Sequence, residues 1–410
     1  MNKMIRMLCA GAALAVVLTA SAFAAEFTGC AARLEELGLF RGTESGYALD
    51  RAPTRGEAAA MLVRLLGKEN EAMALSYSAP FTDLAEWHKP YVQYLYENGL
   101  ANGAGATVFA PNSPCTAQMY AAFLLRALGY DEGAGDFAYA DAVDAARTRG
   151  IYPPAVVDPS DFRRDDVAAA SYTALSLPPK NGARTLLDRL VEDGAAAPEA
   201  AAKYQALFTQ YAAYRAQTAE TDAALSVRCT YADGTAFSQE GAAAQPALTI
   251  GGEALLEIDR AAGTIRTEGV VELGAAGAQS TAVSVRRELS EGLLRCSVNG
   301  VDGVAEPLSA HEQAQLLAAY APVPLVYVEQ MQQAGGSWSL QLGSMPAPYA
   351  SLLWAAESAL GGTGGAQYEA VVLTHRVSGG RITAQELSAQ MTQDGLRGEV
   401  KLVSRSENGA

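Results

Sequence analysis

The first 200 residues repeat one order of features three times, and this repetition constrains the fold of the 410-residue chain more than any other property. Each repeat combines a short helix ending in glycine, a loop rich in glycine, proline or asparagine, and a second helix. Glycine can adopt the left-handed conformation that closes a helix. The closing pairs are Gly38-Leu39, Gly99-Leu100 and Gly150-Ile151. The pattern predicts an all-α domain of three helical repeats, at residues 27–77, 78–135 and 136–197.

The second helix of each repeat is predicted to begin near Thr54, Thr116 and Arg163. In the first repeat, apolar side chains recur three and four residues apart and form one stripe: Ala58, Met61, Leu62, Leu65 and Leu66. A two-helix repeat of this size cannot bury such a stripe alone. We therefore expect the three repeats to pack on one another.

The second repeat resembles the S-layer homology family, whose pattern contains F-x-D, W-A, G-[IL], G, F-x-P and T-R-A-E. It carries Phe81-Thr82-Asp83, Trp87, Gly99-Leu100, Gly103, Phe109-Ala110-Pro111 and Thr116 in that order. The first repeat retains Thr54-Arg55-Gly56-Glu57, and the third retains Phe162 and Arg163-Arg164-Asp165-Asp166. The resemblance implies a three-pronged bundle that binds a secondary cell-wall polymer, an anionic and often pyruvylated glycan, in grooves between the prongs.

The sequence Thr54-Arg55-Gly56-Glu57 predicts a capping box, in which Thr54 and Glu57 pair with backbone N–H groups. Capping does not require Arg55, and the helix dipole disfavours a cation there by ~0.3–1 kcal/mol. A guanidinium beside free backbone N–H groups would instead form a carboxylate site. The resemblance implies that Arg55 contacts the polymer, and a solvated surface charge is the alternative.

Arg164 and Asp166 occupy the equivalent positions in the third repeat, whereas the second has Ala117 and Met119. At most two of three grooves therefore keep the full charge pattern, which predicts weak or asymmetric polymer binding. Trp87 could stack on a sugar ring, although an aromatic residue at helical spacing more often packs in a core. The predicted polymer-binding residues are Arg55, Arg164, Thr54, Glu57, Asp166 and Trp87.

Residues 1–24 have the three parts of a secretory signal peptide. These are the basic residues Lys3 and Arg6, an apolar stretch from Met7 to Thr19, and small residues at Ala22 and Ala24. We predict cleavage after Ala24, no transmembrane segment after it, and a secreted protein at the cell wall and cell surface. The net charge of −15 makes nucleic acid a poor partner.

Residues 198–410 are predicted to form an α+β domain with a large antiparallel sheet. After a helix over 198–217, the apolar period changes to two, which indicates strands, with helices inserted at 308–320 and 347–360. Turns are predicted at Asp233-Gly234, Asn299-Gly300 and Gly379-Gly380. The order of elements is similar to LolA/LppX-like lipoprotein-carrier sheets, which implies a hydrophobic ligand. A compact display domain is the alternative.

Four cysteines follow the predicted cleavage point: Cys30, Cys115, Cys229 and Cys296. Their spacing does not fit a metal site, and no cofactor is expected. Cys229 and Cys296 fall on predicted strands, where they could either face each other as a disulfide or be buried separately.

The polar residues favour binding over catalysis. The three histidines are His88, His311 and His375, and Gln315 stands where the second zinc ligand of a zincin helix would be. The sequence carries no nucleophile elbow or phosphate-binding loop. We expect a non-enzymatic protein that is anchored non-covalently to a wall polysaccharide and displays its C-terminal domain. A carrier or sensor of a hydrophobic ligand is one alternative, and a cell-wall hydrolase with two distant acids is another.

Overall fold

The computed structural model describes residues 26–43, 46–153, 155–239, 248–275, 279–360 and 366–406. The predicted signal peptide lies outside these residues. The chain divides into two compact units. The helical unit comprises the described residues up to Thr209 and Pro324–Val326, and the sheet unit comprises those from Gln210 to Val323 and from Tyr327 onward. Among the described residues, none of the helices is both long enough and apolar enough to cross a membrane.

The helical unit is built from short helices. They are α1 Thr28–Glu36, α2 Arg55–Leu65, α3 Glu69–Ala74, α4 Lys89–Glu97, α5 Ala117–Ala127, α6 Ala142–Thr148, α7 Arg164–Leu175, α8 Leu186–Glu192 and part of α9 Pro198–Gln217. The predicted starts of the second helices are confirmed, because Thr54, Thr116 and Arg163 are the N-caps of α2, α5 and α7. Gly38, Gly99 and Gly150 have φ of +74°, +66° and +73°, as a helix-closing glycine requires.

These helices pack in pairs that join distant parts of the sequence. Helix α2 packs against α4, α5 against α6, and α7 against α1. Helix α5 also contacts α2 and α7, and the Tyr120 and Ser171 hydroxyls form a buried hydrogen bond of 2.7 Å between α5 and α7. Four residues of the predicted apolar stripe on α2 are buried: Ala58, Met61, Leu62 and Leu65. Such short helices are only marginally stable in isolation, so burial of this stripe between helices stabilises them.

The sheet unit contains a large antiparallel sheet, as predicted. Its strands are β1 Ala224–Gln239, β2 Leu248–Asp259, β3 Thr264–Ala275, β4 Thr281–Ser290, β5 Leu293–Val298, β6 Val301–Asp302, β7 Glu306–Pro307, β8 Val328–Ala334, β9 Ser337–Leu342, β10 Gln367–Ser378, β11 Arg381–Gln393 and β12 Leu396–Ser406. Their order is β6-β5-β4-β3-β2-β1-β12-β11-β10-β9-β8, and β7 pairs with β5. The inserted helices are α10 Ala310–Leu317 and α11 Ala347–Leu360.

Two of the three predicted turns are confirmed. Asn299-Gly300 and Gly379-Gly380 have positive φ at both residues, which a two-residue hairpin of type I′ requires. The turn predicted at Asp233-Gly234 is wrong, because β1 continues through it with a register shift after Tyr231. Strand β1 pairs with β2 on one side and β12 on the other, so pairing on both edges outweighs the local turn preference.

A disulfide between Cys229 and Cys296 is excluded by the strand order. Cys229 lies on β1 and Cys296 on β5, with β2, β3 and β4 between them. Strands β1 and β5 are four strand spacings apart, which is roughly 19 Å. A disulfide needs Cα atoms within about 7 Å. All four described cysteines are free and buried.

Candidate functional site

The first turn of α2 contains the predicted capping box. The Glu57 backbone N–H donates to the Thr54 hydroxyl oxygen at 3.2 Å, and the Thr54 N–H donates to the Glu57 carboxylate at 2.8 Å. Glu57 also accepts a hydrogen bond of 2.8 Å from Arg51. The carboxylate is therefore held by groups of the protein itself.

Arg55 is buried rather than solvated, with 6% of its surface exposed. Its Nε donates to the Phe109 carbonyl oxygen at 2.8 Å, and Nη2 donates to the Asn102 carbonyl oxygen at 2.6 Å. The guanidinium also lies 4.5 Å from the centre of the Phe109 ring. Burial lowers the pKa of Arg55, because desolvation disfavours the charged form. The two carbonyls replace the lost water, and the arginine thereby ties the start of α2 to the loop before α5.

Arg164 forms a similar contact at the start of α7, and it is 4% exposed. Its Nε donates to the Tyr47 carbonyl oxygen at 3.0 Å, and Nη1 lies 4.0 Å from the Glu57 carboxylate. Helix α5 has Ala117 at the corresponding position, and there the Tyr152 hydroxyl donates to the Ala117 carbonyl oxygen at 2.8 Å. The buried Tyr152 thus connects the segment after α6 to the start of α5, where the arginine is absent.

The free backbone N–H groups that we expected beside the arginines are already paired, so this part of the prediction is wrong. The N–H groups of Arg55 and Gly56 donate to the Ser113 and Pro111 carbonyls, each at 2.9 Å. At the start of α7, the Asp165 N–H donates to the Leu49 carbonyl at 3.1 Å. Helix N-termini that are buried need acceptors, and the nearest ones belong to the neighbouring loops.

Asp166 and Asp165 are both buried at the start of α7. Asp166 accepts hydrogen bonds from the N–H groups of Arg163 and Asp158, at 2.7 and 3.0 Å. Asp165, which the sequence did not single out, accepts from the Phe27 N–H at 3.0 Å. Burial raises the pKa of Asp166 to about 7 and that of Asp165 to about 6. Both carboxyls therefore hold backbone in place inside the helical unit.

Trp87 differs from the other predicted site residues because its side chain is accessible, with 50% of its surface exposed. Its ring centroid lies 3.8 Å from that of His88, at an interplanar angle of 36°. The nearby Tyr91 and Tyr94 are buried in the core instead. Trp87 therefore presents an aromatic ring that a sugar could contact.

The loop before α5 is held from two sides, which the sequence did not reveal. The Asp83 carboxylate accepts hydrogen bonds from the N–H groups of Phe109 and Ala110, at 2.9 and 2.7 Å. The Phe109 carbonyl accepts from Arg55. At Gly103, an added Cβ would lie only 2.3 Å from the Phe81 ring. The landmark residues of the second repeat thus fix the conformation of this loop.

Residues 80–116, which contain Trp87, Gly103 and Phe109, match the family described as S-layer homology domain. The chain is a surface protein with an S-layer homology domain. The resemblance seen in the sequence is thereby confirmed. The contacts of Asp83, Gly103 and Phe109 give a physical reason for several residues of the S-layer homology pattern.

Several curated relatives are similar to the chain. A cell surface protein of Thermoanaerobacter kivui is 30% identical over 159 residues, which is 38% of this chain and 20% of that protein. A surface layer protein of Brevibacillus choshinensis is 30% identical over 145 residues, 32% of this chain and 13% of that protein. A middle cell wall protein of Brevibacillus brevis is 31% identical over 120 residues, 28% of this chain and 11% of that protein. The chain thus spans a fifth or less of these relatives, and the predicted location, secreted and at the cell wall, is confirmed.

Proposed function

We propose that the S-layer homology region binds an anionic wall polysaccharide, for example a pyruvylated glycan, and so anchors the exported chain without a covalent bond. The observation that carries this proposal is Trp87, half-exposed within residues 80–116. An accessible aromatic ring on a rigid surface is a typical contact for a sugar ring. Rigidity is supplied by the loop before α5, which hydrogen bonds from Arg55 and to Asp83 hold in place.

We further propose that the helical unit is one ring of three repeats, at residues 27–77, 78–135 and 136–197. The packing of α2 on α4, α5 on α6 and α7 on α1 supports this, since each pair joins the second helix of one repeat to the first helix of the next. The ring contains three boundaries between repeats. Arginine bridges two of them, through Arg55 and Arg164, and Tyr152 bridges the third. This difference supports unequal polymer binding at the three boundaries.

We also propose that Arg55 and Arg164 contact the polymer directly. Both guanidinium groups are buried and donate to backbone carbonyls, so such contact requires the loop over each arginine to shift. Their cationic charge lies at two of the boundaries between repeats, where it would still attract an anionic glycan. Thr54, Glu57 and Asp166 then act by holding the helix starts in place.

We propose a display role without catalysis for the sheet unit. His375 of the sheet unit is buried at 0% exposure, which supports this because its imidazole does not reach solvent as an acid or base. Large aromatic side chains fill the space between sheet and helices: Tyr214, Trp338 and Tyr349. This packed core lends the carrier hypothesis no support. Purified full chain incubated with sacculi should release no soluble sugar, and release above a boiled control would favour the hydrolase instead.

Replacing Trp87 with alanine should weaken retention on sacculi by about 10-fold or more, because a tryptophan at the centre of a binding surface carries a large share of the affinity. Thermal stability should change little, since half of the side chain is exposed. Trp87→Phe, which keeps a stacking ring, should retain most of the binding. Co-sedimentation of full chain over a range of sacculus concentrations measures the effect.

Met73→Ala is the matched control, because Met73 is similarly exposed and lies on α3 outside residues 80–116. Its retention should equal that of the wild type. Equal retention of the Trp87→Ala variant and the wild type would contradict the polymer proposal, because the proposal depends on contact between Trp87 and the polymer.

A further inference from the structure

Two of the residues that depart from the S-layer homology pattern are in contact in the structure. Gly56 stands where T-R-A-E has alanine, and His88 stands where W-A has alanine after the tryptophan. An added Cβ at Gly56 would lie 2.4 Å from Cδ2 and 2.6 Å from Nε2 of His88. Carbon atoms cannot approach so closely, so the imidazole occupies the space that a side chain at position 56 would need.

The imidazole of His88 is fixed on several sides. Nδ1 accepts a hydrogen bond of 3.2 Å from the Ala85 N–H, which places the proton of the neutral ring on Nε2. Nε2 points toward the first turn of α2 and is buried without a hydrogen-bond partner among the described residues. Asp83 is the charged group that acts on the ring, and burial lowers the pKa of His88. The ring is therefore neutral and is held by packing as much as by its one hydrogen bond.

His88 also contacts the exposed ring of Trp87, at a centroid distance of 3.8 Å and an interplanar angle of 36°. The imidazole thus contacts both Trp87 and the first turn of α2 at Gly56. Trp87 carries no hydrogen bond among those the structure records for the described residues, and the tilted contact with His88 is the aromatic contact recorded for its ring. With alanine at position 88, the indole would lose this flat partner and gain rotational freedom.

We infer that His88 is a positioning residue of the proposed polymer site. It fills the volume left by Gly56 and fixes the Trp87 ring relative to the start of α2. The inference rests on the proposed function, because the orientation of Trp87 matters only if the polymer contacts it. His88 itself, at 2% exposure, does not touch the polymer.

The test compares the full chain with His88→Ala, Gly56→Ala and the double variant. Gly56→Ala alone should lower the melting temperature of the helical unit, because the methyl group collides with the imidazole. Adding His88→Ala should restore it, since this removes the collision. The double variant should nevertheless bind sacculi about 3- to 10-fold more weakly than the wild type, because ordering a free side chain costs affinity.

Fluorotryptophan labelling gives a signature that a purely structural role would not move. The ¹⁹F resonance of Trp87, assigned with Trp87→Phe, should sharpen in the double variant, because an indole that rotates freely averages its surroundings. A double variant that is stable, binds like the wild type and keeps the wild-type linewidth would overturn the inference. So would a double variant that stays as unstable as Gly56→Ala. Equal binding by Trp87→Ala and the wild type would instead overturn the proposed function, so the two failures are distinguishable.

Discussion

Replacement of Arg55 by alanine should destabilise the helical unit by about 2–5 kcal/mol, because two buried carbonyl groups lose their donor. The carbonyls are those of Phe109 and Asn102, and the space above the Phe109 ring would be left empty. Urea unfolding of the full chain, followed by its helical circular dichroism, measures the change. The helical signal should be lost at a lower urea concentration than in the wild type.

Arg41→Ala provides the control, since Arg41 lies on the surface of the same unit and pairs with Glu69 at 3.1 Å. Loss of an ion pair whose arginine is exposed should change stability by less than about 0.5–1 kcal/mol. Arg55→Lys should fall between the two, because lysine keeps the charge but cannot reach both carbonyls with a planar fork. An Arg55→Ala variant as stable as Arg41→Ala would show that Arg55 does not hold the loop.

This expectation changes how binding data on Arg55 must be interpreted. A loss of sacculus binding in Arg55→Ala would follow from a displaced loop as readily as from a lost polymer contact. The same holds for Arg164, which donates to the Tyr47 carbonyl. Sacculus binding by Arg55→Lys without urea, divided by the folded fraction, separates the two roles. Normal binding per folded molecule would indicate that Arg55 acts by holding the loop, and reduced binding would indicate a contact with the polymer.

Gly103→Ala should destabilise the helical unit by about 2–4 kcal/mol, because overpacking against fixed neighbours is costly. An added Cβ would lie 2.3 Å from the Phe81 ring, 2.6 Å from the Gly105 carbonyl oxygen and 2.9 Å from that of Val108. Two of these neighbours are backbone atoms, which cannot rotate away. The same urea titration of the full chain measures the loss.

Gly105→Ala is a matched control two residues away in the same loop. Its added Cβ would meet only the Val108 Cβ, at 3.8 Å, which is an ordinary van der Waals distance. We expect a change below about 1 kcal/mol there. Equal stability of the two variants would mean that the loop is not packed as described.

Local features of the helical unit could be predicted from the sequence, because each depends on residues a few positions apart. The N-cap at Thr54 and the left-handed closure at Gly99 follow from side-chain type and spacing. The large antiparallel sheet followed from a period of two in the same way. The Asp233-Gly234 turn failed because pairing with β2 and β12 is not local.

The environment of Arg55 could not be predicted, because its partners are backbone carbonyls 47 and 54 residues away. Every residue has a carbonyl, so an acceptor of this kind leaves no mark in the sequence. The dipole argument predicted an anionic ligand for this cation, whereas in the structure neutral backbone carbonyl oxygens accept its hydrogen bonds. The paired departures at Gly56 and His88 were visible in the sequence, yet only the coordinates show that they touch.

The S-layer homology landmarks therefore act mainly within the protein. Asp83, Gly103 and Phe109 fix the conformation of a loop, and Arg55 ties that loop to the start of α2. Among the aromatic landmarks Phe81, Trp87 and Phe109, Trp87 is the one that is exposed to solvent. We expect the affinity for a wall polymer to depend on exposed groups such as Trp87. We expect the arginines to act indirectly, by holding those groups in position.

Retention of the full chain on sacculi before and after removal of their secondary polymer tests the anchoring account most directly. We expect saturable retention on intact sacculi, and a fall of about 10-fold or more once the polymer has been stripped, while the peptidoglycan remains. Equal retention on intact and stripped sacculi would contradict the account, because the chain would then hold to the wall through something other than this glycan.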